Sequence, residues 1–283
     1  MVVKTQQMNI SELSWKTSDG INIYGKKWTT EATPKAVICL MHGMGEHINR
    51  YNHFAEMFNK YGYAVIGCDH RGHGRSGGQR GHFPDFEIFL NDVHAFLAIT
   101  CEHFPDTKKI LYAHSMGGNL VSNYLIKRQP KLTGAILSSP YLQLAFKPPT
   151  IKLLIGKLLK GIFPTLSMSI GLDSNAISKD KQEVRKYDTD PLVHNKVSAK
   201  MGIELIGTGQ WVLDNAEKLS LPTLVYHGSE DKLTSFEASK AFAKKAGKFV
   251  TFVPLEGLFH ETHNEPEREE VFKVIITWCD GVI

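Results

Sequence analysis

One serine lies in a setting that could make it a nucleophile. Ser115 is the centre of the run Ala113-His114-Ser115-Met116-Gly117-Gly118, which follows an apolar strand-like segment and precedes a helical pattern. A small residue two positions before the serine and a glycine two positions after it are typical of the nucleophile elbow, a sharp strand-to-helix turn. Ala113 adds only a methyl group to the more usual glycine. The alternative is that Ser115 merely caps the helix, because serine is a common N-cap residue.

Two carboxylates could orient a histidine base for Ser115. A serine hydroxyl is a weak nucleophile at neutral pH, so it needs a general base, and that base needs an orienting acid. Glu230 and Asp231 follow the apolar run Thr223-Leu224-Val225-Tyr226-His227, which indicates a strand. A carboxylate just beyond the carboxyl end of a strand is well placed to reach the active edge of a sheet. The run therefore predicts that one of these two residues is the acid.

The candidate base is His260. The run Val250 to Val253 indicates the next strand, and the loop after it leads through Gly257 to His260. In proteins with this elbow the order along the chain is nucleophile, acid and then histidine. His263 is a nearby alternative. The position of His260 relative to the strand and to Gly257 favours His260.

Two backbone N–H groups could stabilise an oxyanion. Met116 follows the nucleophile at the start of a helix, where the helix dipole favours negative charge. The second donor is expected in the loop His42-Gly43-Met44-Gly45-Glu46-His47, whose glycines allow close approach to a substrate. We predict that this donor is Met44. The loop is not a helical H-E-x-x-H zinc motif, because its glycines break the helix, and we expect neither a metal nor a cofactor.

Alternating strands and helices are predicted to carry these residues. Six continuous apolar runs indicate strands buried on both faces, at 36–41, 64–68, 109–113, 134–138, 223–227 and 250–253. Helical patterns lie at 50–60, 86–103, 116–128, 236–245 and 266–279, and the third shows one apolar stripe. This alternation predicts an α/β fold, a mostly parallel sheet with helices on both faces. The segments 12–17 and 22–28 predict an antiparallel hairpin at the sheet edge.

The interval between Ser138 and Thr223 is too long for one crossover helix. It contains the turn signals Ser139-Pro140 and Pro148-Pro149. An insertion at the carboxyl end of a parallel strand lies where ligands bind in open α/β sheets. We therefore expect one domain over residues 1–283, with residues 141–213 inserted as a lid.

Composition limits the partners and the location. The 283 residues carry 33 basic and 29 acidic side chains without a dense basic stripe, so we expect no nucleic acid partner, and no obligate protein partner is inferred. Met1 to Gln7 lacks the apolar core of a signal peptide, and no stretch is long enough to span a membrane. The four cysteines are scattered, which favours a reducing compartment such as the cytoplasm.

Together these segments resemble the monoacylglycerol lipase family of α/β-hydrolases along nearly the whole chain. The matching motifs are His42 to His47 with Arg50-Tyr51, Asp69 to Ser76, His114 to Gly118, Asp188 to Leu192, His227 to Asp231 and His260 to Glu265. The resemblance implies the α/β-hydrolase fold with a helical lid. It assigns the acid to Asp231 and the base to His260, and it places the oxyanion donors at Met44 and Met116. It also implies that Asp69 to Ser76 is a supporting conformational loop.

The resemblance implies a serine hydrolase that cleaves carboxylic esters without a cofactor, with monoacylglycerol as the substrate and an acyl-enzyme as the intermediate. A lysophospholipase, a short-chain carboxylesterase or an aminopeptidase-like hydrolase could use the same triad. A non-catalytic α/β-hydrolase that acts as a binding module is the alternative from another class. Met44 replaces the small residue that the family often has at this position, which bears on acyl-chain preference.

The segment from Thr150 to Leu172 is rich in apolar residues and lysines. The residues predicted to contact an acyl chain are Ile151, Leu154, Ile155, Leu158 and Leu159. In one interpretation an amphipathic helix lines an acyl tunnel and makes peripheral contact with a membrane, its lysines facing anionic headgroups. In the other, its apolar face packs on the domain and its lysines are solvated. A lipid ester is the expected ligand in both.

Overall fold

The sheet is built from strands that the sequence largely predicts. The computed structural model describes residues 8–283, so the expectation about Met1 to Gln7 lies outside the described residues. The strands are β1 (Asn9–Lys16), β2 (Asn22–Thr29), β3 (Ala36–Met41), β4 (Ala64–Cys68), β5 (Lys108–His114), β6 (Gly134–Ser138), β7 (Ser167–Ser169), β8 (Lys196–Ser198), β9 (Thr223–Gly228) and β10 (Val250–Leu255). The helices are α1 (Asn52–Lys60), α2 (Phe86–His103), α3 (Met116–Arg128), α4 (Thr150–Ile162), α5 (Lys181–Thr189), α6 (Ala199–Asp214), α7 (Phe236–Ala246) and α8 (Arg268–Val282).

Eight strands form one sheet in the order β1-β2-β4-β3-β5-β6-β9-β10. From β4 to β10 all neighbours are parallel, whereas β2 is antiparallel to both β1 and β4. The edge hairpin and the parallel sheet are therefore as predicted. Because β3 lies between β4 and β5, the loops that follow these three strands meet at one edge of the sheet.

Helices cover both faces of the sheet, which confirms the predicted fold class. Alternate side chains of β3 illustrate this, because Val37, Cys39 and Met41 belong to one apolar core while Ala36, Ile38 and Leu40 belong to the other. The first core packs against α2, α3, α6 and α7, and the second packs against α1 and α8. Burial of both faces explains why the central strands are continuous apolar runs.

Two local expectations were wrong. Helix α3 has no single buried stripe, because every residue from Met116 to Ile126 is buried. Its outer side is covered by α2 and by α6, a helix of the insertion. Strand β10 is not covered on both faces, since its residues are partly or fully exposed. It is the last strand of the sheet, and an edge strand has fewer neighbours to cover it.

The insertion between β6 and β9 contains α4, α5, α6 and a small antiparallel ribbon of β7 and β8. Helix α6 is held to α3 by side-chain hydrogen bonds, since Asn119 donates to the carbonyl of Leu205 at 3.0 Å and Thr208 donates to Asn119 at 3.0 Å. Over the described range, none of the helices is both long and apolar enough to cross a membrane.

Candidate active site

Ser115 lies on a strained turn between β5 and α3. Its φ of +52° is unusual for a residue other than glycine, and such strain is typical of functional positions. The turn is held by the Ser115 N–H, which donates to the carbonyl of Ser138, and by the Tyr141 N–H, which donates to the carbonyl of Ser115. A Cβ on Gly117 would lie 2.6 Å from the carbonyl oxygen of His42. Glycine is therefore required here because the end of β3 and the residue after it press on the turn.

Ser115, His260 and Asp231 form one continuous chain of hydrogen bonds. The Ser115 hydroxyl lies 2.8 Å from His260 Nε2, and His260 Nδ1 lies 2.6 Å from Asp231 Oδ2. Since a carboxylate can only accept, Nδ1 carries the proton and Nε2 is free to accept one from Ser115. Each of the three residues follows a different strand of the sheet. The arrangement is that of a nucleophile, a general base and an orienting acid.

The charges of Asp231 and His260 stabilise each other. Burial alone raises the pKa of Asp231, but the His260 charge and the hydrogen bonds from His227 and His260 hold it well below its ordinary value. Burial alone lowers the pKa of His260, but the Asp231 carboxylate more than offsets this, so the pKa of His260 is raised. Asp231 is therefore a carboxylate, and it favours the imidazolium form of His260.

The structure separates the predicted residues from their rivals. Glu230 is exposed, whereas Asp231 is buried against His260. His263 is buried but stacks on Tyr51, with ring centroids 4.8 Å apart, and its ring nitrogens have no hydrogen-bond partner within residues 8–283. Both members of each pair follow the same strand, and the tertiary structure shows which member is hydrogen-bonded in the chain from Ser115.

The loop of residues 42–47, hereafter the 42–47 loop, lies against the nucleophile. A Cβ on Gly43 would lie 3.3 Å from Ser115 Cβ. His42 Nδ1 lies 2.8 Å from the carbonyl oxygen of Gly43 and donates to it, which requires a proton on Nδ1. His42 Nε2 accepts the N–H of His70 at 3.0 Å. Because the C=O and N–H of a trans peptide point in opposite directions, His42 orients the Met44 N–H away from its own ring.

The second predicted donor, Met116, is the first residue of α3. The first N–H groups of a helix have no partner within the helix and carry the positive end of its dipole. The described geometry therefore provides a free helical N–H directly after Ser115 and an oriented N–H on the adjacent 42–47 loop. The two predicted donors thus lie at the start of α3 and on the 42–47 loop, which meet at the nucleophile.

A buried ionic cluster links the 42–47 loop to the histidine loop, and the sequence did not reveal it. Arg50 donates two hydrogen bonds to Glu261, both at 2.7 Å, and one to Glu46 at 2.8 Å. Glu46 also accepts the N–H of Gly43 at 2.6 Å. Because Glu261 directly follows His260, one guanidinium holds both loops. Arg50 and Glu261 were visible only as members of motifs, since nothing local indicates that residues 211 positions apart form a pair.

Two more partners of Asp231 were missed. Thr234 donates its hydroxyl to Asp231 Oδ2 at 2.9 Å, and His227 Nε2 lies 3.0 Å from the same oxygen. His227 was seen only as part of the motif that contains Asp231. Thr234 carried no recognisable signal, because a threonine in a loop is common and its role depends on the turn that follows β9.

Several buried histidines near the site make the fold sensitive to acid. Burial lowers the pKa of His70 to about 4 and that of His114 to about 3, from about 6.5 in the unfolded chain. Below pH 6.5 the unfolded chain binds more protons, so the free energy of unfolding falls by about 1.4 kcal/mol per pH unit for each such histidine. Between pH 6.5 and 5, we expect the free energy of unfolding of His70→Asn to fall by about 2 kcal/mol less than that of the wild type. Urea unfolding at the two pH values measures it.

Glu46 has the opposite effect on the pH dependence, because burial raises its pKa. This effect is present in both the wild type and His70→Asn, so it cancels when the two are compared. His103→Asn is the matched control, because His103 is exposed on α2. An unchanged pH dependence in His70→Asn, or the same change in the control, would contradict the assignment.

The predicted lid residues lie mostly on the outer surface. Ile151, Leu154, Ile155 and Leu158 are 49–63% exposed, and Leu159 is partly buried. Helix α4 packs on α6 through its other side, where a Cβ on Gly156 would lie 2.8 Å from Ile203. These exposed apolar side chains of α4 are therefore not used for packing on the domain.

A pocket of about 720 Å³ lies between α4, α6 and residues 141–148. Tyr141 lines this pocket and also donates its N–H to the carbonyl of Ser115 at 2.9 Å. Its other apolar lining residues are Leu142, Leu144, Phe146, Leu153, Ile203 and Ile206. Lys147, Lys157 and Lys160 also line it. The pocket is thus mainly apolar with basic side chains.

Residues 32–267 match the family described as "Serine aminopeptidase, S33". The monoacylglycerol lipase of Mycolicibacterium smegmatis is 34% identical over 95% of this chain and 96% of its own length. A phospholipase of Bacillus subtilis is 35% identical over 90% of this chain and all of its own. An uncharacterized abhydrolase domain-containing protein of Dictyostelium discoideum is 36% identical over 93% of this chain, which spans only 28% of that protein.

A solved structure matches over the same extent. The crystal structure of the monoacylglycerol lipase of Paleococcus ferrophilus has a TM-score of 0.82 and 29% identity, and the match covers 97% of this chain and all of that one. The sheet, the elbow and the relatives define a serine hydrolase of the α/β-hydrolase fold. The chain belongs to the serine aminopeptidase S33 family and to the monoacylglycerol lipase family, which confirms the resemblance seen in the sequence.

Proposed function

We propose that this serine ester hydrolase cleaves monoacylglycerols to a fatty acid and glycerol, with Ser115, His260 and Asp231 as its catalytic triad. The observation that carries the proposal is the unbroken hydrogen-bond chain from Ser115 through His260 to Asp231, with distances of 2.8 and 2.6 Å. The substrate is suggested by relatives named monoacylglycerol lipases that share nearly the whole chain. The pocket of about 720 Å³ between α4, α6 and residues 141–148 is mainly apolar, which suits an acyl chain, and its lining residue Tyr141 contacts the backbone of Ser115.

The reaction follows from the positions of these atoms. His260 Nε2 accepts the proton of Ser115 as Oγ attacks the acyl carbon, and the backbone N–H groups of Met44 and Met116 stabilise the oxyanion. His260 then gives the proton to the departing glycerol oxygen, which leaves an acyl-enzyme on Ser115. A water molecule, activated by the same histidine, attacks this ester and releases the fatty acid. Asp231 holds the imidazole in the required tautomer and stabilises its cation.

The insertion is proposed to act as a lid over residues 141–213, and α4 is proposed to contact a lipid surface. The apolar side chains Ile151, Leu154, Ile155, Leu158 and Ile162 are exposed on α4, although exposed apolar patches are uncommon unless they bind something. Helix α4 carries three lysines and no acidic residue. Such a helix suits peripheral contact with an anionic membrane, through which a poorly soluble ester could reach the pocket.

A second candidate substrate is a lysophospholipid. Lys147, Lys157 and Lys160 line the pocket, and Glu204 pairs with Lys160 at 3.1 Å. The remaining positive charge could bind a phosphate. The relative from Bacillus subtilis, named as a phospholipase, supports the same alternative.

The test is release of free fatty acid from monoacylglycerols, diacylglycerols, lysophospholipids and short p-nitrophenyl esters by the full chain. Ser115→Ala serves as the blank, because it removes the nucleophile and leaves the pocket intact. We expect Ser115-dependent turnover to be highest on monoacylglycerols. Highest turnover on lysophospholipids would favour the second candidate, and turnover on short esters alone would reject a lipid substrate. Turnover that persists in Ser115→Ala would reject the triad.

A further inference from the structure

Asp190 of the insertion contacts the 42–47 loop next to the nucleophile. Its Oδ2 lies 2.9 Å from Nε2 of His47, whose side chain is 3% exposed. Because a carboxylate can only accept, His47 donates from Nε2. The other oxygen of Asp190 accepts the N–H of Leu192 at 2.8 Å, and the Asp190 carbonyl accepts the N–H of Val193 at 3.2 Å. One side chain therefore holds His47 and also organises the turn of residues 190–193.

This turn brings His194 onto the backbone of Gly45. The His194 N–H donates to the carbonyl of Gly45 at 2.9 Å. Gly45 has a φ of +75°, and a Cβ there would lie 2.3 Å from the carbonyl oxygen of His194, so the two backbones are in direct contact. The side chain of His194 reaches further and donates from Nε2 to the carbonyl of Gly72 at 3.0 Å.

Met44 is consequently fixed from both sides. On one side His42 holds the carbonyl of Gly43, whose peptide contains the Met44 N–H. On the other side His194 holds the carbonyl of Gly45. The first contact comes from the 42–47 loop itself, whereas the second comes from a segment almost 150 residues away in the sequence. Without the second contact, the carbonyl of Gly45 would lose the hydrogen bond that ties it to the insertion.

We propose that Asp190 is a positioning residue for the oxyanion hole, acting through His47 and through the seating of His194 on Gly45. This inference rests on the proposed function, in which the Met44 N–H stabilises the oxyanion. It assigns a role to the Asp188 to Leu192 motif, which the triad does not use. On this proposal, the insertion has two parts. The part around α4 is exposed, and the segment of residues 190–194 completes the active site.

The expected effect is on the transition state and not on substrate binding. Loss of one oxyanion donor lowers kcat by about 10² to 10³-fold, and a displacement of about 1 Å in a catalytic group can lower it by about 10²-fold. For Asp190→Ala we expect kcat to fall by about 30- to 100-fold while KM stays within about twofold, because the interaction strengthens only as the oxyanion forms.

The experiment compares Asp190→Ala, Asp190→Asn and Asp188→Ala with the wild type on the best monoacylglycerol. Asp188 is the matched control, since it is an exposed carboxylate two residues away. Each variant is also inhibited with an alkyl trifluoromethyl ketone, whose adduct with Ser115 carries an oxyanion. We expect its Ki to rise by the same factor by which kcat/KM falls. A merely structural effect would lower the melting temperature without this proportionality.

Several outcomes would overturn the proposal. These are a kcat for Asp190→Ala within tenfold of wild type, an equal loss in Asp188→Ala, a loss expressed in KM, or an unchanged Ki. If Asp190→Ala does not fold, Asp190→Asn decides by the same criteria, because it keeps the size of the side chain. Turnover that survives Ser115→Ala would reject the proposed function itself. Ser115-dependent turnover that is insensitive to Asp190 would reject only the positioning role.

Discussion

Asp231→Asn should lower kcat by about 10⁴-fold while leaving the protein folded. An amide in place of the carboxylate presents an N–H, or a weaker acceptor, to His260 Nδ1, which now lies 2.6 Å from Asp231 Oδ2. The imidazole then favours the tautomer with its proton on Nε2, where it can no longer accept the proton of Ser115. The loss should appear in kcat, measured under saturating substrate, because the substrate pocket is unchanged.

Asp231→Asn should also change the pH dependence of kcat/KM. Burial lowers the pKa of His260, and the Asp231 carboxylate raises it above its ordinary value. The acidic limb of kcat/KM in the wild type should therefore lie above pH 6.5, where His260 loses its proton, and it should move to lower pH in Asp231→Asn. Glu230→Gln is the control, since it makes the same chemical change on the exposed neighbouring residue. Equal losses in the two variants would show that Asp231 is not the acid.

Arg50→Met should lower the free energy of unfolding by about 3–5 kcal/mol. The side chains of Arg50, Glu46 and Glu261 are all at most 8% exposed, so removing the guanidinium leaves two buried carboxylates without their cation. Arg50 also lies over the ring of Tyr187, 4.8 Å from its centroid. Urea unfolding at pH 7 measures the loss. Arg50→Lys should lower the free energy of unfolding by less than Arg50→Met, because lysine keeps the positive charge. It should still be less stable than the wild type, because lysine cannot form the two parallel hydrogen bonds.

The control for Arg50→Met is Lys35→Met, which breaks the exposed pair of Lys35 and Asp280. An exposed pair contributes below about 1 kcal/mol, so this variant should be nearly neutral. The deficit of Arg50→Met should also shrink as the pH falls toward 5, because its unpaired carboxylates can then take up protons. A deficit no larger than that of Lys35→Met would mean that the cluster does not stabilise the fold.

Local patterns predicted the strands and helices of the main sheet and a candidate nucleophile, but not β7, β8, α5 and α6 of the insertion. The apolar runs at β3, β4, β5, β6 and β9 are continuous because both faces of the sheet are covered, and this property can be read without any partner. The elbow at Ser115 is likewise local, since its strand, turn and helix are adjacent in the chain. The order of Ser115, Asp231 and His260 followed from the elbow, and the resemblance to a family chose Asp231 over Glu230.

What the sequence could not determine was how distant residues meet. Because β3 lies between β4 and β5 in the sheet, the 42–47 loop contacts the turn of Ser115, and the glycine at 117 is required by β3. Glu261, which binds Arg50, and His47, which binds Asp190, are far from their partners in the sequence. The exposure of α4 depends on which side meets α6. The sequence by itself thus determined the elements of the main sheet and the candidate chemical groups. The tertiary structure decided their partners, since those contacts depend on the order of strands in the sheet and not on neighbours in the chain.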